Sequence, residues 1–432
     1  MFRRIVIGLA LALVLGLGGF AAFAWRPSIA PIARPAASDF SADLVARGAV
    51  LASGGYCATC HTTRGGKPLA GGRAMVTAFG TLYSTNITPD PETGIGNWSE
   101  EAFRRAMHDG VARDGSHLFP AFPYDHFTKL SDADVHALYA WLMTRPAVAA
   151  PARSNALPFP LGIRALQAGW KLLFFKPGRF APDPAHDAAW NRGAYLAEAL
   201  GHCGACHTPR NGLGAEKRDA AYAGASIDNW VAPPLTGANP APVPWTSDEL
   251  AAYLGTGISR FHGTAAGPMA PVVHEGLAKL SPEDLKAVVR YVASLGGGDA
   301  RAAEAAPVIA KALVADRSSL GPLADADARL YTAACASCHY NAGTQPNPLR
   351  PDLALNSAVS LSDPTNLIRV ILYGISAKDG APAIVMPGFS GFSDADVARI
   401  CAHLRRTRTS LPPWSDLEKS VARIRAEGRG DY

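Results

Sequence analysis

Six of the seven cysteines in this chain of 432 residues fall into copies of one short pattern. The copies are Cys57-Ala-Thr-Cys60-His61, Cys203-Gly-Ala-Cys206-His207 and Cys335-Ala-Ser-Cys338-His339. Within each copy the cysteines stand three positions apart, so a single helical turn brings both sulfurs to one side. A histidine follows directly. Such a set can bond a flat organic group through two sulfurs and a central metal ion through the imidazole.

The spacing Cys-x-x-Cys-His predicts covalent attachment of haem c, with the histidine as the proximal ligand of the iron. A zinc site would need two ligand pairs close together, whereas each pair here lies far from the next in the sequence. A thioredoxin-like redox site would need a βαβ setting, which the sequence does not show. We therefore expect three covalent haem c groups, one at each copy.

The composition of the chain favours compact domains over a disulfide-rich scaffold or a nucleic-acid-binding protein. Cys401 stands alone in an apolar helical stretch and is interpreted as a small buried side chain. Seven cysteines are too few for a disulfide scaffold of this length. Hydrophobic residues make up 48% and charged residues 18%, which is typical of compact domains. The net charge of +5 comes from scattered Lys and Arg, so we expect no nucleic-acid partner.

The N-terminus carries an apolar run from Ile5 to Ala24, preceded by Arg3 and Arg4. A run of this length can cross a bilayer as a helix, and the arginines would hold the N-terminus in the cytoplasm. A cleaved signal peptide is the alternative, because residues 22–24 offer a small-x-small cleavage site. Both interpretations export the remaining chain. We expect it on the periplasmic side of the inner membrane.

The three motifs lie in three repeats of one helical pattern. Arg47-Gly48-Ala49 and Arg192-Gly193-Ala194 lead into the first two motifs, and Ala328-Arg329-Leu330 precedes the third. Each repeat closes on an amphipathic helix that starts with a serine followed by acids, which suits an N-cap and the helix dipole. These serines are Ser131, Ser281 and Ser393. No alternating strand pattern competes. The predicted fold is all-α, with three tandem class I cytochrome c-type domains behind an N-terminal transmembrane anchor or signal segment.

The expected domain boundaries follow from the repeats and from the proline-rich and glycine-rich connectors between them. They are 1–26 for the anchor or signal segment, 39–145, 185–296 and 323–410 for the cytochrome c domains, 146–184 and 297–322 for the connectors, and 411–432 for a tail. In the first connector, residues 161–175 are apolar, aromatic and basic. This stretch either lies on a membrane surface or packs against a neighbouring domain.

The second axial ligand of each iron should come from a loop at a shared offset. Counting twelve residues from a glycine that ends a helix in each repeat leads from Gly110, Gly257 and Gly374 to Phe122, Met269 and Met386. Prolines and glycines flank both methionines, which favours loops. We predict Met269 and Met386 as distal ligands, a choice that raises the redox potential relative to a second histidine. The alternative for a methionine is core packing.

Phe122 cannot bind iron, so the first haem either takes another side chain or stays five-coordinate. His126, four residues on, is the leading candidate. The other side chains considered are Met75, Met107, His108, His117 and Met143. We expect the first haem to differ from the other two in potential or spin state.

From about Asp39 to Leu404 the chain resembles the triheme cytochrome c subunits of bacterial membrane-bound dehydrogenases. The likeness includes Tyr83-Ser84-Thr85-Asn86-Ile87-Thr88-Pro89 and His207-Thr208-Pro209-Arg210-Asn211. Such subunits serve quinoprotein alcohol dehydrogenases, flavin-dependent gluconate dehydrogenases and molybdenum hydroxylases acting on aldehydes or N-heterocycles such as nicotinate.

Phe122 marks a departure within this resemblance. Alcohol and gluconate dehydrogenase cytochromes usually carry methionine at the matching position. The stretch 121–128 looks more like the cytochrome partners of molybdenum hydroxylases. The resemblance therefore implies a catalytic partner with molybdopterin and iron–sulfur clusters, with PQQ or flavin enzymes as alternatives.

Outside the haem motifs the sequence shows no dinucleotide fingerprint, P-loop or nucleophile elbow, so it indicates no substrate site. We expect a membrane-associated relay that passes electrons from a catalytic dehydrogenase subunit to quinone or a terminal oxidase. One alternative is a self-contained enzyme of the peroxidase or thiosulfate-oxidising type, with the first haem as its active site. A gas-sensing module is weaker, because no signalling domain follows.

Overall fold

The structure is a computed structural model that describes residues 1–318, 325–340, 343, 345–376 and 386–430. It divides into two compact units. The first unit is Met1–Ala52 with Cys60–Ala181, and the second is Ser53–Thr59 with Pro182–Tyr432. The expected boundary at 322/323 lies outside the described residues.

Helices dominate the first unit. They are α1 (Phe2–Ala24), α2 (Ala42–Gly54), α3 (Cys57–His61), α4 (Glu100–Asp109), α5 (Tyr124–Phe127), α6 (Asp132–Met143) and α7 (Leu166–Phe174), with a 3₁₀ turn at Ala37–Asp39. The end of α2 and the start of α3 belong to the second unit. Strands β1 (Ala74–Thr77) and β2 (Gly80–Tyr83) form a hairpin.

The second unit is also built from helices. They are α8 (Ala188–Tyr195), α9 (Gly204–His207), α10 (Ser247–Thr256), α11 (Met269–Pro271), α12 (Pro282–Gly296), α13 (Ala305–Ser318), α14 (Ala326–Tyr331), α15 (Ser337–His339), α16 (Ser357–Ser360), α17 (Thr365–Tyr373), α18 (Asp394–Arg408) and α19 (Leu417–Glu427). Wider π turns lie at Leu196–Leu200, Val272–Gly276 and Thr332–Ala336, and 3₁₀ turns at Arg218–Ala220, Leu277–Lys279 and Asp299–Glu304.

Short antiparallel hairpins modify the all-α expectation. Besides β1–β2, the described residues pair β3 (Ala225–Ile227) with β4 (Trp230–Ala232) and β5 (Ile258–Ser259) with β6 (Gly263–Thr264). Asp228 and Asn229 turn between β3 and β4 with φ of 48° and 60°, as a tight two-residue hairpin requires. Strands of two to four residues are too short to show an alternating pattern, so the sequence did not predict them.

Glycine lets the first and closing helices of a repeat cross closely. A Cβ added at Gly48 on α2 would lie 2.0 Å from the carbonyl oxygen of Ala137 on α6. A Cβ added at Gly193 on α8 would lie 1.9 Å from the carbonyl oxygen of Ala287 on α12. The backbones therefore meet at these points, which explains the repeated Arg-Gly-Ala sequence.

An ion pair accompanies each of these crossings. The arginine before the glycine reaches an acid in the first turn of the closing helix, over 2.6 Å for Arg47–Asp134 and 2.7 Å for Arg192–Asp284. In the third repeat the polarity is reversed, because Arg399 on the closing helix pairs at 2.8 Å with Asp327 on α14. The serine N-caps predicted for all three closing helices are confirmed.

A continuous apolar core fills the third repeat. It is built from α14, α17, α18 and α19, with Ile368, Ile400 and Leu404 fully buried. Cys401 is buried in this core, as predicted. Residues 417–427, which were expected to form part of a tail, are the helix α19, and its Val421 and Ile424 complete the core.

α1 is, among the described residues, the one helix long and apolar enough to cross a membrane. Its first eighteen residues are exposed, whereas its last residue, Ala24, is buried. The carbonyl of Ala24 accepts a hydrogen bond from His117 Nε2 at 2.8 Å, and Arg105 donates to the carbonyl of Pro27 at 2.7 Å. The end of α1 is thus tied to the first unit.

We expect Gly193→Ala to lower the stability of the second unit. The new methyl group would overlap the backbone of α12. We expect the free energy of unfolding to fall by about 1–3 kcal/mol. This loss exceeds the stabilisation that alanine gives a helix relative to glycine. Thermal unfolding of the haem-loaded chain measures the change. Gly212→Ala is the matched control, because its added Cβ meets nothing within 4 Å. Equal midpoints for both variants would contradict the close crossing.

Candidate haem-attachment sites

Each Cys-x-x-Cys-His copy lies on one helical turn. The histidine ends the short helices α3, α9 and α15, and the cysteines occupy the turn before it. This local geometry follows from the spacing, because residues three apart share a helix face. The six motif cysteines form no disulfide among the described residues, so both sulfurs of each pair are available for thioether bonds.

The three motif imidazoles make the same hydrogen bond. Nδ1 of His61 lies 2.7 Å from the carbonyl oxygen of Thr85, and Nδ1 of His207 lies 2.7 Å from that of Pro233. Nδ1 of His339 lies 3.1 Å from the carbonyl oxygen of Pro351. A carbonyl only accepts, so Nδ1 carries the proton and Nε2 presents its lone pair. An iron ligand needs this tautomer, held by a second partner.

Burial favours the neutral form of these imidazoles. It lowers the pKa of His61, His207 and His339 below the usual value, while the bond to the carbonyl acts in the opposite direction. A metal-binding imidazole must be neutral, so the arrangement suits iron. Burial also raises the pKa of the Cys203 and Cys335 thiols to about 11. The residues present therefore fit a buried haem c at each motif.

Glycine shapes the loop that supplies the carbonyl acceptor in the first repeat. Gly71 has φ of 74° and its N–H donates to the His61 carbonyl at 2.7 Å. A Cβ at Gly71 would lie 2.4 Å from the carbonyl carbon of Thr85, so only glycine allows this approach. Asn86, next in the Tyr83–Pro89 stretch, donates to the Val148 carbonyl at 2.7 Å. This stretch therefore positions the acceptor of His61.

The three glycines from which the distal ligands were counted all end a helix with a positive φ. Gly110, Gly257 and Gly374 end α4, α10 and α17 with φ of 61°, 79° and 70°. Each is followed by a short antiparallel bridge, formed by the pairs Val111–His117, Ile258–Thr264 and Ile375–Met386. The equivalence of these glycines supports counting the distal position from them.

The structure places both predicted methionines in half-buried positions beside these loops. Met386 exchanges two backbone hydrogen bonds with Ile375, at 2.8 and 2.9 Å. Gly374 lies so close that an added Cβ would be 2.2 Å from the Met386 carbonyl oxygen. Met269 begins α11 directly after Pro268. Their role as iron ligands stays a prediction.

In the first repeat the equivalent loop carries Phe122, whose half-buried ring lies 5.3 Å from that of Phe127. His126 follows on the short helix α5 and is buried. Its role as a ligand likewise stays a prediction.

The structure places the other candidates of the first repeat in distinct settings. His117 has both nitrogens engaged, with Ala24 at 2.8 Å and with Lys171 at 3.1 Å, so it acts as a structural residue. Met107 and Met143 are buried in α4 and α6, and Met75 is half-buried in β1. Burial lowers the pKa of His108 to about 4.

His274 is an imidazole that the sequence pattern did not single out. Its Nε2 is buried and has no hydrogen-bond partner among the described residues. A Cβ added at Gly257 would lie 2.6 Å from this nitrogen. His274 thus lies beside the loop of Met269, five residues further on. The only sequence signal for it is that His126 stands at a similar distance after Phe122.

The residues that precede the first two motifs contact each other within the second unit. Tyr56 lies directly before Cys57, and His202 directly before Cys203. The Tyr56 hydroxyl lies 2.9 Å from the Gly201 carbonyl oxygen and 2.7 Å from His202 Nδ1. The carbonyl only accepts, so the hydroxyl donates to it and His202 Nδ1–H donates to the phenolic oxygen. This pair joins the starts of the first and second motifs.

Comparison with known proteins identifies the domains that carry the motifs. The cytochrome c family model matches residues 45–146 and 190–296. The family model described as cytochrome c oxidase, cbb3-type, subunit III, matches residues 322–404. Cytochrome c domains are therefore present, and they imply covalently bound haem c.

Curated relatives cover nearly the whole chain. A nicotinate dehydrogenase subunit of Pseudomonas putida is 47% identical over 410 residues, which are 94% of this chain and 34% of that protein. The chain thus spans about a third of that relative. The fructose dehydrogenase cytochrome subunit of Gluconobacter japonicus is 40% identical over 364 residues, covering 80% and 74% of the two chains.

A third relative matches from end to end. The gluconate 2-dehydrogenase cytochrome c subunit of Pantoea cypripedii is 38% identical over 436 residues, covering 96% of this chain and 95% of the relative. Identity at this level over nearly complete chains is enough to assign a family. The chain belongs to the cytochrome c subunits of bacterial dehydrogenases and is an electron-transfer subunit of such a complex.

Proposed function

We propose that the chain is a triheme relay on the periplasmic side of the inner membrane, held there by α1. It takes electrons from a catalytic dehydrogenase subunit and passes them to quinone or a terminal oxidase. The observation that carries this proposal is the shared hydrogen bond from Nδ1 of each motif histidine to a backbone carbonyl. It prepares the same nitrogen for iron in all three repeats.

Three haems correspond to three domains in this proposal, at 39–145, 185–296 and 323–410. The repeated helix crossings and ion pairs support this division, because each joins the first and closing helices of one repeat. When bound, haem c supplies one-electron chemistry at its iron. The chain's own side chains attach it through two cysteines and orient it through one imidazole.

Retention of α1 is part of the proposal. Ala24 would be the last residue removed by cleavage after residues 22–24, yet it is buried and its carbonyl binds His117. A C-terminal neighbour, Pro27, accepts from Arg105. The end of the helix is therefore built into the first unit, which favours an anchor over a discarded signal.

The distal ligands proposed are Met269, Met386 and, for the first haem, His126. The support is position in the sequence, since Met269 and Met386 lie twelve residues after the helix-ending glycine of their repeats, and His126 lies sixteen residues after Gly110. A histidine at the first haem would lower its potential relative to the two methionine-bound haems. The redox potential would then differ between the first haem and the other two.

The catalytic partner proposed is a molybdenum hydroxylase that carries molybdopterin and iron–sulfur clusters and oxidises an aldehyde or an N-heterocycle. Its support is the 47% identity to the nicotinate dehydrogenase subunit of Pseudomonas putida, together with phenylalanine at position 122. Partners that carry flavin or PQQ are the competing classes.

The composition of the native complex tests both parts of the proposal. We expect about three haems per chain by pyridine haemochrome assay after export, since each motif is complete. We also expect molybdenum in the co-purified catalytic subunit, measured by elemental analysis. A haem count well below three would contradict the triheme relay. PQQ or flavin without molybdenum would contradict only the partner.

Met386→His should lower the potential of one haem while all three stay attached. A second imidazole stabilises ferric iron relative to a thioether sulfur, so the midpoint falls. Spectroelectrochemical titration of the purified holo-chain measures it. Val314→His, at an exposed position on α13, is the control and should leave that midpoint unchanged. An unaltered midpoint in Met386→His would show that Met386 is not a ligand.

Tyr56→Phe should slow electron exchange between the first and second haems several-fold. The variant keeps every haem ligand but loses the hydroxyl that joins the starts of the two motifs. Transient reduction of the holo-chain followed by spectroscopy measures the exchange. Tyr139→Phe is matched, because it also removes a buried hydroxyl that donates to a backbone carbonyl, that of Trp98 at 2.9 Å. An equal loss in both variants would count against a specific role for Tyr56.

A further inference from the structure

The connector after the first repeat exposes an unusual number of large apolar side chains. They are Phe159, Leu161, Ile163, Leu166, Leu172 and Leu173. Leu172 and Leu173 on α7 are 71% and 68% exposed. Single exposed leucines are ordinary, but a concentration of them in one short segment marks a surface that meets another apolar phase.

The opposite face of α7 is firmly bound to the first unit. Ala168 is buried, and the rings of Trp170 and Phe175 lie 6.3 and 5.2 Å from the ring of Tyr124. The segment is therefore fixed in place, and its exposed leucines belong to a defined outward face.

Lys171 adds a polar clamp to this buried face. Its Nζ donates to the carbonyls of Asp109 and Gly110 at 2.6 and 2.7 Å. These carbonyls lie at the C-terminal end of α4, where a cation is stabilised by the helix dipole. The connector therefore packs one face against the first repeat and exposes its other face.

The position of α7 relative to α1 indicates what covers the exposed face. α7 packs against α1, and a Cβ added at Gly169 would lie 3.6 Å from the ring of Phe20. Phe20 stands four residues before the end of α1, which is about 6 Å along the helix axis. Helices that lie in the membrane interface sit about 5–10 Å deep. α7 is therefore at the level where α1 leaves the hydrocarbon.

Two further features match a lipid surface. Trp25, directly after α1, is 68% exposed, and tryptophan is favoured at the membrane–water boundary. The chain has no acidic residue between Asp134 and Asp183, whereas that interval carries several basic ones. They are Arg145, Arg153, Arg164, Lys176 and Arg179, in addition to Lys171, whose ammonium is held in the buried clamp. Anionic phospholipid headgroups attract such a segment.

We propose that α7 and residues 159–166 form a lipid-binding face that rests in the outer boundary of the bilayer crossed by α1. The first unit then has two membrane contacts, a crossing helix and an interfacial one. This inference rests on the proposed function in one respect, since it takes α1 as retained. It adds that the first repeat lies on the membrane surface in a fixed orientation.

The test measures thiol modification in the full haem-loaded chain. Leu173→Cys is reconstituted in phosphatidylethanolamine–phosphatidylglycerol vesicles and treated with a charged, membrane-impermeant maleimide. Most vesicles hold a single chain, which removes shielding by a second copy. We expect modification at least several-fold slower than at a water-exposed thiol, because an apolar boundary disfavours the reactive thiolate. Leu172→Cys provides a second reading.

Val314→Cys on α13, at 57% exposure, is the control and should react quickly. Background is low, because the motif cysteines carry haem and Cys401 is 0% exposed. If positions 172 and 173 react as fast as 314 while flotation keeps the chain on the vesicles, the lipid-binding face is refuted and the proposed anchor stands. If the chain does not float with the vesicles, both are refuted.

Discussion

The rest of the structure depends on one hydrogen bond, made three times, from the Nδ1–H of a motif histidine to a backbone carbonyl. It selects the tautomer and fixes the ring plane, so Nε2 points in one direction before any metal arrives. The acceptors of His61, His207 and His339 lie 24, 26 and 12 residues further along the chain. Chain segments of unequal length thus separate the histidine from the carbonyl that accepts its hydrogen bond. The three repeats keep this hydrogen bond although the number of residues between its two partners differs.

A scaffold is needed to hold those loops against the motif helices. It comes from the crossing of the first and closing helices, where Gly48 and Gly193 let two backbones touch and an arginine–aspartate pair sets the register. The third repeat reaches the same result with the charges exchanged between Asp327 and Arg399. An ion pair is indifferent to which helix carries which sign, so the reversal preserves the contact. Because the charges are exchanged, a residue-by-residue comparison of the repeats does not identify this ion pair as the equivalent of the other two.

Side-chain chemistry is what the sequence predicted well. The turn that carries each motif, the serine caps and the helix-ending glycines all follow from residue types at fixed spacing, and the structure has them. The carbonyl acceptors were not predicted, because a backbone carbonyl has no residue identity. The hairpins were too short to show a period, and His274 is brought to Gly257 by a π turn that no local pattern marks. Tertiary contacts decide these features.

The repeats share a scaffold, but the residues directly before their motifs differ. Tyr56 and His202, the residues before the first two motifs, both adopt positive φ, 38° and 33°, and meet through a hydrogen bond. Ala334, at the corresponding place before the third motif, lies in a π turn and has no hydroxyl or imidazole to offer. Left-handed backbone is costly for residues with a Cβ and persists only where contacts compensate for it. The hydrogen bond between Tyr56 and His202 is therefore a contact that compensates for this backbone conformation inside the second unit.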